Sequence, residues 1–343
     1  MRQTVLALAA MVTVAVVPAL AQKASAPYKI LTTAKVGGEG GFDYVSADST
    51  ARKLYIARSG TGGRITVFDL DTLKPAGEVP SVSAHGVAVD EKSGHAFATS
   101  KPVAMFDAKT LAPIKTIDVQ GNPDGLLGDP ALGRIYILSH SAPNVTVLDA
   151  KDGSIAGTID LGGAPEQAVL DGKGHLYVDL EDKGSIAVVD TKTMAVTAHY
   201  DISSKGGTCA GLAMEVKNNI LFAACRNPQT MVILSAADGK ILETLPIGMG
   251  SDGAVFNSKT MEAFSSQGDG TLTIIKENSP TSFVVEQTVQ TPPRSKTLTL
   301  DTKTNRIVLI TAEFTPAPPA APGARPGRGQ MVPDSFSILV VGK

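Results

Sequence analysis

A short motif recurs seven times along the chain at a nearly constant spacing. In each copy an apolar run ends in an acidic or amide residue, and these residues are Asp48, Asp90, Asp129, Asp171, Glu215, Asn257 and Asp301. The intervals between them are 42, 39, 42, 44, 42 and 44 residues. Because a unit of this size cannot bury its own faces, it must pack against its neighbours, so the period constrains the fold directly.

Each repeat contains four short strand-like segments separated by turn residues. In the third repeat they lie at 126–129, 134–137, 145–149 and 156–159. Four short strands in about 40 to 45 residues form one blade of a β-propeller, and no segment shows sustained helical periodicity. The chain has 34 glycines and 21 prolines, which suits many tight turns. The sequence therefore predicts an all-β, seven-bladed β-propeller with four antiparallel strands per blade.

The two ends of the repeat array complement each other. The seventh repeat has three strands, at 297–300, 306–311 and 336–341, and the chain then ends. The segment 28–36 precedes the first repeat and matches the fourth-strand pattern seen at 240–244. We expect this N-terminal strand to complete the last blade and close the ring, which removes open sheet edges. The whole of 28–343 is then one propeller domain.

One segment interrupts the period. Residues 315–333 contain six prolines, and Arg325 and Arg328 lie between glycines. This composition predicts an extended or disordered insertion in the seventh blade, with no ladder and no core of its own. We expect a solvated loop, and the alternative is a tethered motif that binds a partner.

The first 21 residues have the pattern of a secretory signal peptide. Arg2 is followed by an apolar run at 5–17 and by Ala19-Leu20-Ala21, a typical cleavage site. The run is shorter than the ~20 residues of a spanning helix, although an uncleaved anchor is the alternative. The residue directly after the cleavage site is not a cysteine, so no lipid attachment is expected. The sequence predicts a periplasmic or secreted protein that is not inserted in a membrane.

The charge balance argues against one class of partner. The chain has 31 basic and 33 acidic residues, so it lacks the basic surface of a duplex nucleic-acid binder. We expect a monomer that binds a small molecule or a protein, of unknown identity in either case.

The repeat places a set of polar residues at one end of the propeller. Equivalent positions in successive blades are related by rotation about one axis, so residues five positions before each motif end should form a ring at a channel mouth. They are Asp43, His85, Asp124, Glu166, Ala210, Asp252 and Lys296. Oxygen ligands with an imidazole suit Ca²⁺, Mn²⁺ or Zn²⁺, so Asp43, His85, Asp124, Glu166 and Asp252 are candidate metal ligands. The alternative is a water-filled channel lined by ordinary polar residues.

A second tier of charged residues is expected in the loops that follow the second strands, at the same end of the ring. It consists of Arg58, Lys101, His140, Glu181, Arg226 and Glu313. Its mixed signs would suit an anionic or zwitterionic small molecule, and solvated loop charges are the alternative.

Cys209 and Cys225 are the only cysteines of the chain. If residues 215 and 220 pair across the turn of the fifth repeat, residue 210 faces Cys225, and the two cysteines lie nearly opposite each other on adjacent strands. In an oxidising compartment this predicts a structural disulfide.

Familiar catalytic signatures, such as a P-loop, H-E-x-x-H or a haem-attachment C-x-x-C-H, are missing from the sequence. The segment Leu176-Tyr177-Val178-Asp179-Leu180, followed by Ile186-Ala187-Val188-Val189-Asp190-Thr191, resembles the YVTN-type bacterial β-propeller repeat. It departs from that motif at Asp179-Leu180, where Thr-Asn would stand. The resemblance covers 28–343, implies a propeller and export, and places the chain near lactonase-like and haem-d1-type propellers.

Three functions follow as hypotheses. The first is an exported binding or scaffold protein that uses the channel-mouth face for a small ligand, a metal ion or a protein. The second is a metal-dependent, lactonase-like hydrolase, in which the bound metal polarises a carbonyl or activates water. The third is a redox propeller that holds haem or a quinone, which the missing haem-attachment motif disfavours.

Overall fold

The computed structural model describes residues 26–142, 144–316 and 329–343. These ranges contain 28 strands, arranged in seven antiparallel four-stranded sheets. No helix among the described residues has the length and hydropathy needed to cross a membrane. The predicted signal peptide at 1–21 lies outside the described residues, as do residues 317–328 of the Pro-rich insertion.

Blades 1 to 6 each use four consecutive strands. Blade 1 has β2 Gly41–Asp48, β3 Lys53–Ser59, β4 Arg64–Asp69 and β5 Pro75–Pro80. Blade 2 has β6 Ala84–Asp90, β7 His95–Ser100, β8 Val103–Asp107 and β9 Pro113–Ile117. Blade 3 has β10 Pro123–Asp129, β11 Arg134–Ser139, β12 Val145–Asp149 and β13 Ile155–Ile159. Blade 4 has β14 Pro165–Leu170, β15 His175–Leu180, β16 Ser185–Asp190 and β17 Ala195–Asp201. Blade 5 has β18 Cys209–Glu215, β19 Ile220–Arg226, β20 Gln229–Ser235 and β21 Ile241–Pro246. Blade 6 has β22 Ser251–Asn257, β23 Glu262–Gln267, β24 Thr271–Ser279 and β25 Ser282–Gln290.

Blade 7 joins the two ends of the chain. It combines β26 Leu298–Asp301, β27 Arg306–Thr311 and β28 Ser337–Gly342 with the N-terminal strand β1 Lys29–Lys35. The preceding residue, Tyr28, is buried; its backbone N–H donates to Gln287 Oε1 at 2.8 Å and its hydroxyl donates to Glu262. The prediction that the N-terminal strand closes the last blade is confirmed.

The repeated acidic or amide residue lies at the end of the first strand of each blade, or directly after it, and shapes the turn that follows. In blade 1, Asp48 Oδ1 accepts the backbone N–H groups of Thr50 and Ala51 at 3.1 and 2.7 Å. In blade 5, Glu215 accepts those of Lys217 and Asn218 in the same way. A short acidic side chain that satisfies nearby backbone donors favours a tight turn, which explains why this residue type recurs at the period.

The core lies between the blades. The first strands pack against one another around the central axis, while the second and third strands are covered on both faces by adjacent blades. Between blades 1 and 2, Tyr55, Val67, Val87 and Phe106 are buried together. Double coverage explains why these strands are almost continuously apolar, whereas the outermost strands are largely exposed.

The base of the Pro-rich insertion differs from the prediction. Phe314 and Met331 form an antiparallel bridge, and Thr315 N–H donates to the carbonyl of Gln330 at 2.8 Å. Both bridge side chains also pack against the core cluster that contains Phe336. The expectation that 315–333 forms no ladder and no core is therefore wrong at Met331, which forms an isolated bridge with Phe314 just before the insertion. Five of the six prolines lie between these two residues.

The disulfide between Cys209 and Cys225 is present. The predicted register was off by one residue, because Cys209 itself pairs with Cys225 and Gly211 pairs with Ala224. A β-bulge leaves Ala210 unpaired, which shifts the ladder at this point. The bond indicates folding in an oxidising compartment.

Candidate functional site

A β-bulge begins the first strand in each of six blades. The ladder shifts between Phe42 and Val45 in blade 1 and between Pro123 and Leu126 in blade 3. The same irregularity occurs in blades 2, 4, 5 and 6. Each bulge contains the residue five positions before the motif end. Since a bulge leaves its residue unpaired and turns the local strand, it can direct that side chain into the channel.

Acidic and imidazole side chains alternate along one half of the channel mouth. His85 Nδ1 lies 3.0 Å from Asp43 Oδ2 and 3.1 Å from Asp124 Oδ1. His140 Nε2 lies 3.4 Å from Asp124 Oδ2 and 3.7 Å from Glu166 Oε1. We call His85, Asp124, His140 and Glu166 the imidazole half.

Fixed cations complete the circle. Arg226 lies 3.9 Å from Glu166 Oε1 and also pairs with Asp252. Lys296 pairs with Asp252, and its Nζ lies 3.2 Å from Asp43 Oδ1. The result is a closed circuit, which we call the channel-mouth ring: Asp43, His85, Asp124, His140, Glu166, Arg226, Asp252 and Lys296.

The structure thus brings together all six polar residues of the first predicted tier. His140 and Arg226 were expected in a second tier, but both reach into the ring. Arg226 compensates for Ala210, the buried apolar member of the series, because it spans the gap that Ala210 leaves in blade 5. Glu181 is not part of the ring but contacts it, because its Oε2 lies 3.0 Å from Arg226 Nη1.

Three predicted residues, Arg58, Lys101 and Glu313, have no contact with the ring among the described residues, and the expectation for Arg58 needs correction. Arg58 is 1% exposed, and its guanidinium donates to the carbonyls of Gly38, Gly40 and Gly41 and stacks on Phe336. Burial, with the nearby charge of Arg64, lowers its pKa to about 10. Its role is to hold a loop, because its donors are occupied by the main chain.

Lys101 and Glu313 are exposed. Lys101 donates to the carbonyl of Gly121 at 2.5 Å, and Glu313 lies 3.6 Å from Lys35. Neither contacts a member of the ring among the described residues.

Two residues that the sequence analysis missed fill the channel one position along the strands. Gln167 Oε1 accepts the backbone N–H groups of Leu212 and Ala254, each at 3.0 Å, and its Nε2 donates to the Ala254 carbonyl at 3.0 Å. Tyr44 contacts the equivalent position in blade 2, Gly86. The signal was available, since this position is glycine in four blades and large in these two. Gln167 therefore links the first strands of blades 4, 5 and 6 next to the ring.

Burial and neighbouring charges shift the pKa values of the ring carboxyl groups in different directions. Burial raises the pKa of Asp43, but hydrogen bonding to His85 and the charge of Lys296 outweigh it, so the pKa falls below its usual value. The hydrogen bond to Asp43 in turn raises the pKa of His85. Asp43 is therefore ionised at neutral pH and favours a protonated His85.

The imidazole half contains carboxyl groups that resist ionisation. Burial, together with the charges of Asp43 and Asp252, raises the pKa of Asp124 even though His85 and His140 oppose this. Burial raises the pKa of Glu166 to about 9, with Arg226 opposing and Glu181, Asp252 and Asp124 adding to the rise. Burial and the same ring carboxylates also raise the pKa of Tyr44 well above its usual value. Burial therefore favours the neutral forms of both carboxyl groups in this half.

The imidazole half, together with Asp43, contains two groups of side chains that could hold a metal ion. Asp43, His85 and Asp124 offer ligand atoms within 4.8 Å of one another, and so do Asp124, His140 and Glu166. The imidazoles are 44% and 41% exposed, whereas Asp124 and Glu166 are 15% and 10% exposed, so an entering ligand meets the imidazoles first. Chemically, this half could bind a cation or transfer protons.

Solved structures show where this architecture occurs. A chain of the mitotic checkpoint complex matches with a TM-score of 0.70 and 12% identity, over 90% of this chain and 96% of the other. U3-55K matches with 0.69 and 10%, over 91% and 98%. The RRP9 WD40 repeats match with 0.71 and 11%, over 93% and 98%. At these identities the likeness establishes the seven-bladed propeller and nothing about ligands.

No family model matches the chain, and no curated protein sequence does.

Proposed function

We propose that this protein is an exported β-propeller that binds its ligand at the channel-mouth ring. The observation that carries the proposal is the closed circuit itself: eight side chains from seven blades converge on one mouth of the channel. Such convergence of charged, partly exposed side chains is what a site for a small polar ligand requires. The fold agrees with a binding or scaffold role, since one similar solved structure is a chain of the mitotic checkpoint complex.

The ligand that fits the imidazole half best is a divalent cation. The distances of 3.0, 3.1, 3.4 and 3.7 Å between donor atoms are close to the edges of a coordination shell. A tetrahedron with metal–ligand bonds of ~2.0–2.1 Å has edges of about 3.3 Å. Imidazole with carboxylate suits Zn²⁺ or Mn²⁺ better than Ca²⁺, which prefers oxygen ligands alone.

Electrostatics favour the same ligand. The pKa values of Asp124 and Glu166 are raised by burial and by neighbouring carboxylates. A bound cation would stabilise their ionised forms, whereas Arg226 and Lys296 already neutralise Asp252 on the opposite side. The proposal therefore assigns the cation to Asp124, with either His85 and Asp43 or His140 and Glu166 as the further ligands.

The test is calorimetric titration of Zn²⁺, Mn²⁺ and Ca²⁺ into EDTA-treated protein, with thermal melting alongside. We expect one saturable site for Zn²⁺ or Mn²⁺, with a rise in melting temperature that follows occupancy. The variants Asp124→Asn and Glu166→Gln, which keep shape and remove charge, should weaken binding at least about tenfold. Asp118→Asn, an exposed acid in blade 2, is the matched control and should bind like the parent. Absence of any saturable heat would show that Arg226 and Lys296 alone neutralise the ring.

One observation favours a second candidate, a metal-dependent hydrolase of the lactonase-like kind. Glu166, with a pKa of about 9, stays protonated at neutral pH beside His140, as a general acid must. A metal on Asp124 would polarise a bound carbonyl. Lactone hydrolysis that requires the metal and is lost in Glu166→Gln would support this function.

Export and family membership belong to the same proposal. The disulfide fits a periplasmic or secreted protein, and the leader pattern at 1–21 supplies the route. The resemblance to YVTN-type repeats agrees with both.

A further inference from the structure

Beside the ring, at the contact between blades 7 and 1, lies a cavity with a different chemistry. It has a volume of about 380 Å³, and its walls include Phe42, Phe314, Met331, Arg294 and Lys296. The three apolar side chains are partly buried against the core, so they are held in place. A volume of this size falls within the range of small-molecule sites, about 300–1,000 Å³.

Two cations line this cavity, and they differ in whether a carboxylate pairs with them. Lys296 already pairs with Asp43 and Asp252. Within the described ranges, by contrast, the Arg294 guanidinium forms no salt bridge, and its group lies 3.9 Å from the centroid of the Phe314 ring. Stacking of this kind occupies the face of the guanidinium and leaves its N–H groups at the edge available to an acceptor.

The backbone of Arg294 is left-handed, as it is at nine other non-glycine residues among those described. Its φ is +67°, a left-handed conformation that costs a long side chain about 1–2 kcal/mol, and its N–H donates to the Gly268 carbonyl at 2.9 Å. Gly268 itself lines the cavity. In this conformation Arg294 lies between two cavities and lines both of them.

The two cavities differ in the charge of their walls. The Arg294–Phe314 pair also lines a larger cavity of about 690 Å³, but Glu313 lies in that wall. The smaller cavity has no acidic residue in its wall. An anion is therefore accommodated on the side of Phe42 and Met331.

We propose that this second site, the Arg294 pocket, binds a small molecule with an apolar, aromatic body and one anionic group. The body packs between Phe42, Phe314 and Met331, and a carboxylate, sulfonate or phosphate accepts hydrogen bonds from Arg294. The site shares the channel-mouth face with the ring but does not require a cation in it.

The test uses a matched pair of fluorescent probes, since the chain has no tryptophan to transfer energy to them. One is 8-anilinonaphthalene-1-sulfonate, and the other is its uncharged counterpart, N-phenyl-1-naphthylamine. We expect saturable binding of the sulfonate to one site. Arg294→Gln should weaken the sulfonate about tenfold and leave the neutral probe unchanged, because it removes only the charged hydrogen bonds. Phe314→Ala should weaken both probes.

The controls separate this site from misfolding and from the ring. Lys101→Gln removes an exposed cation from a loop of blade 2 and should alter neither titration. Asp124→Asn and Glu166→Gln, chosen to abolish cation binding, should leave the sulfonate titration intact. Thermal melting establishes that each variant is folded. Equal affinity of Arg294→Gln and the parent for the sulfonate, or a parallel loss of both probes in that variant, would overturn the proposal.

Discussion

A residue's environment in this propeller decides its behaviour more than its chemical type does. Asp179, on the second strand of blade 4, is fully buried, and neither of its carboxyl oxygens has a hydrogen-bond partner among the described residues. The corresponding strand positions in blades 1 and 5 hold Ala57 and Ala224, which are also fully buried. Burial raises the pKa of Asp179 well above its usual value, so the group is held in its neutral form.

Replacing Asp179 should change the pH dependence of stability. Between a pKa of about 4 in the unfolded chain and the raised pKa in the fold, the folded protein holds one more proton. The free energy of unfolding therefore falls as pH rises, by up to about 1.4 kcal/mol per pH unit. Asp179→Asn removes this loss, so its stability relative to the parent should be greater at pH 8 than at pH 5 in urea unfolding. Asp118 is exposed, so the free energy of unfolding of Asp118→Asn relative to the parent should be the same at pH 5 and pH 8. If Asp179→Asn also shows no change between these pH values, the prediction is wrong.

At the scale of the element, the N-terminal strand holds the ring closed. β1 pairs with β28 from Lys29–Gly342 to Lys35–Ser337, and Tyr28 attaches it to blade 6 through Gln287 and Glu262. Without β1, blade 7 would have three strands and an exposed edge on β28.

Deleting 28–36 should therefore lower the melting temperature of the whole molecule and broaden its transition. The matched control replaces 317–328 with a short Gly-Ser link. It should cost little, because Phe314 and Met331, which pack on the core, are retained. Scanning calorimetry of both variants gives the comparison. Equal losses would mean that β1 is not the closing strand.

At the scale of the whole molecule, the described ring contains one covalent cross-link, and the proposed export adds a leader at 1–21. The leader pattern ends at Ala21, and the disulfide of blade 5 needs an oxidising compartment. We expect the mature protein, recovered from the periplasm or medium, to begin at Gln22 by mass spectrometry. Ala21→Leu, which places a large residue at the cleavage site, should retain the leader, whereas Ala10→Leu within the apolar run should be processed normally. If protein recovered from the periplasm or the medium still carries Met1, the prediction of a cleaved leader is wrong.

The sequence by itself determined the architecture, because a propeller is a local rule applied seven times. The turn-forming acid at Asp48 and its equivalents, the apolar second and third strands, and the missing fourth strand of the last repeat each follow from short-range chemistry. The convergence of Asp43, Asp124 and Glu166 also followed, since rotation about one axis carries any fixed offset to the same end of the channel.

Only the tertiary structure decided how side chains from different blades meet. The bulge at Ala210 aligned Cys209 with Cys225, and the reach of Arg226 across to Glu166 and Asp252 filled the place that Ala210 left empty. Arg58 does not reach the site because it donates hydrogen bonds to backbone carbonyls of a neighbouring loop. Within the described part of the chain, Arg294 stacks on Phe314 instead of pairing with a carboxylate. Each of these outcomes depends on side-chain length and on partners contributed by other strands and loops. The repeat period determines the position of a residue in its blade, but the packing of adjacent blades determines which groups its side chain contacts.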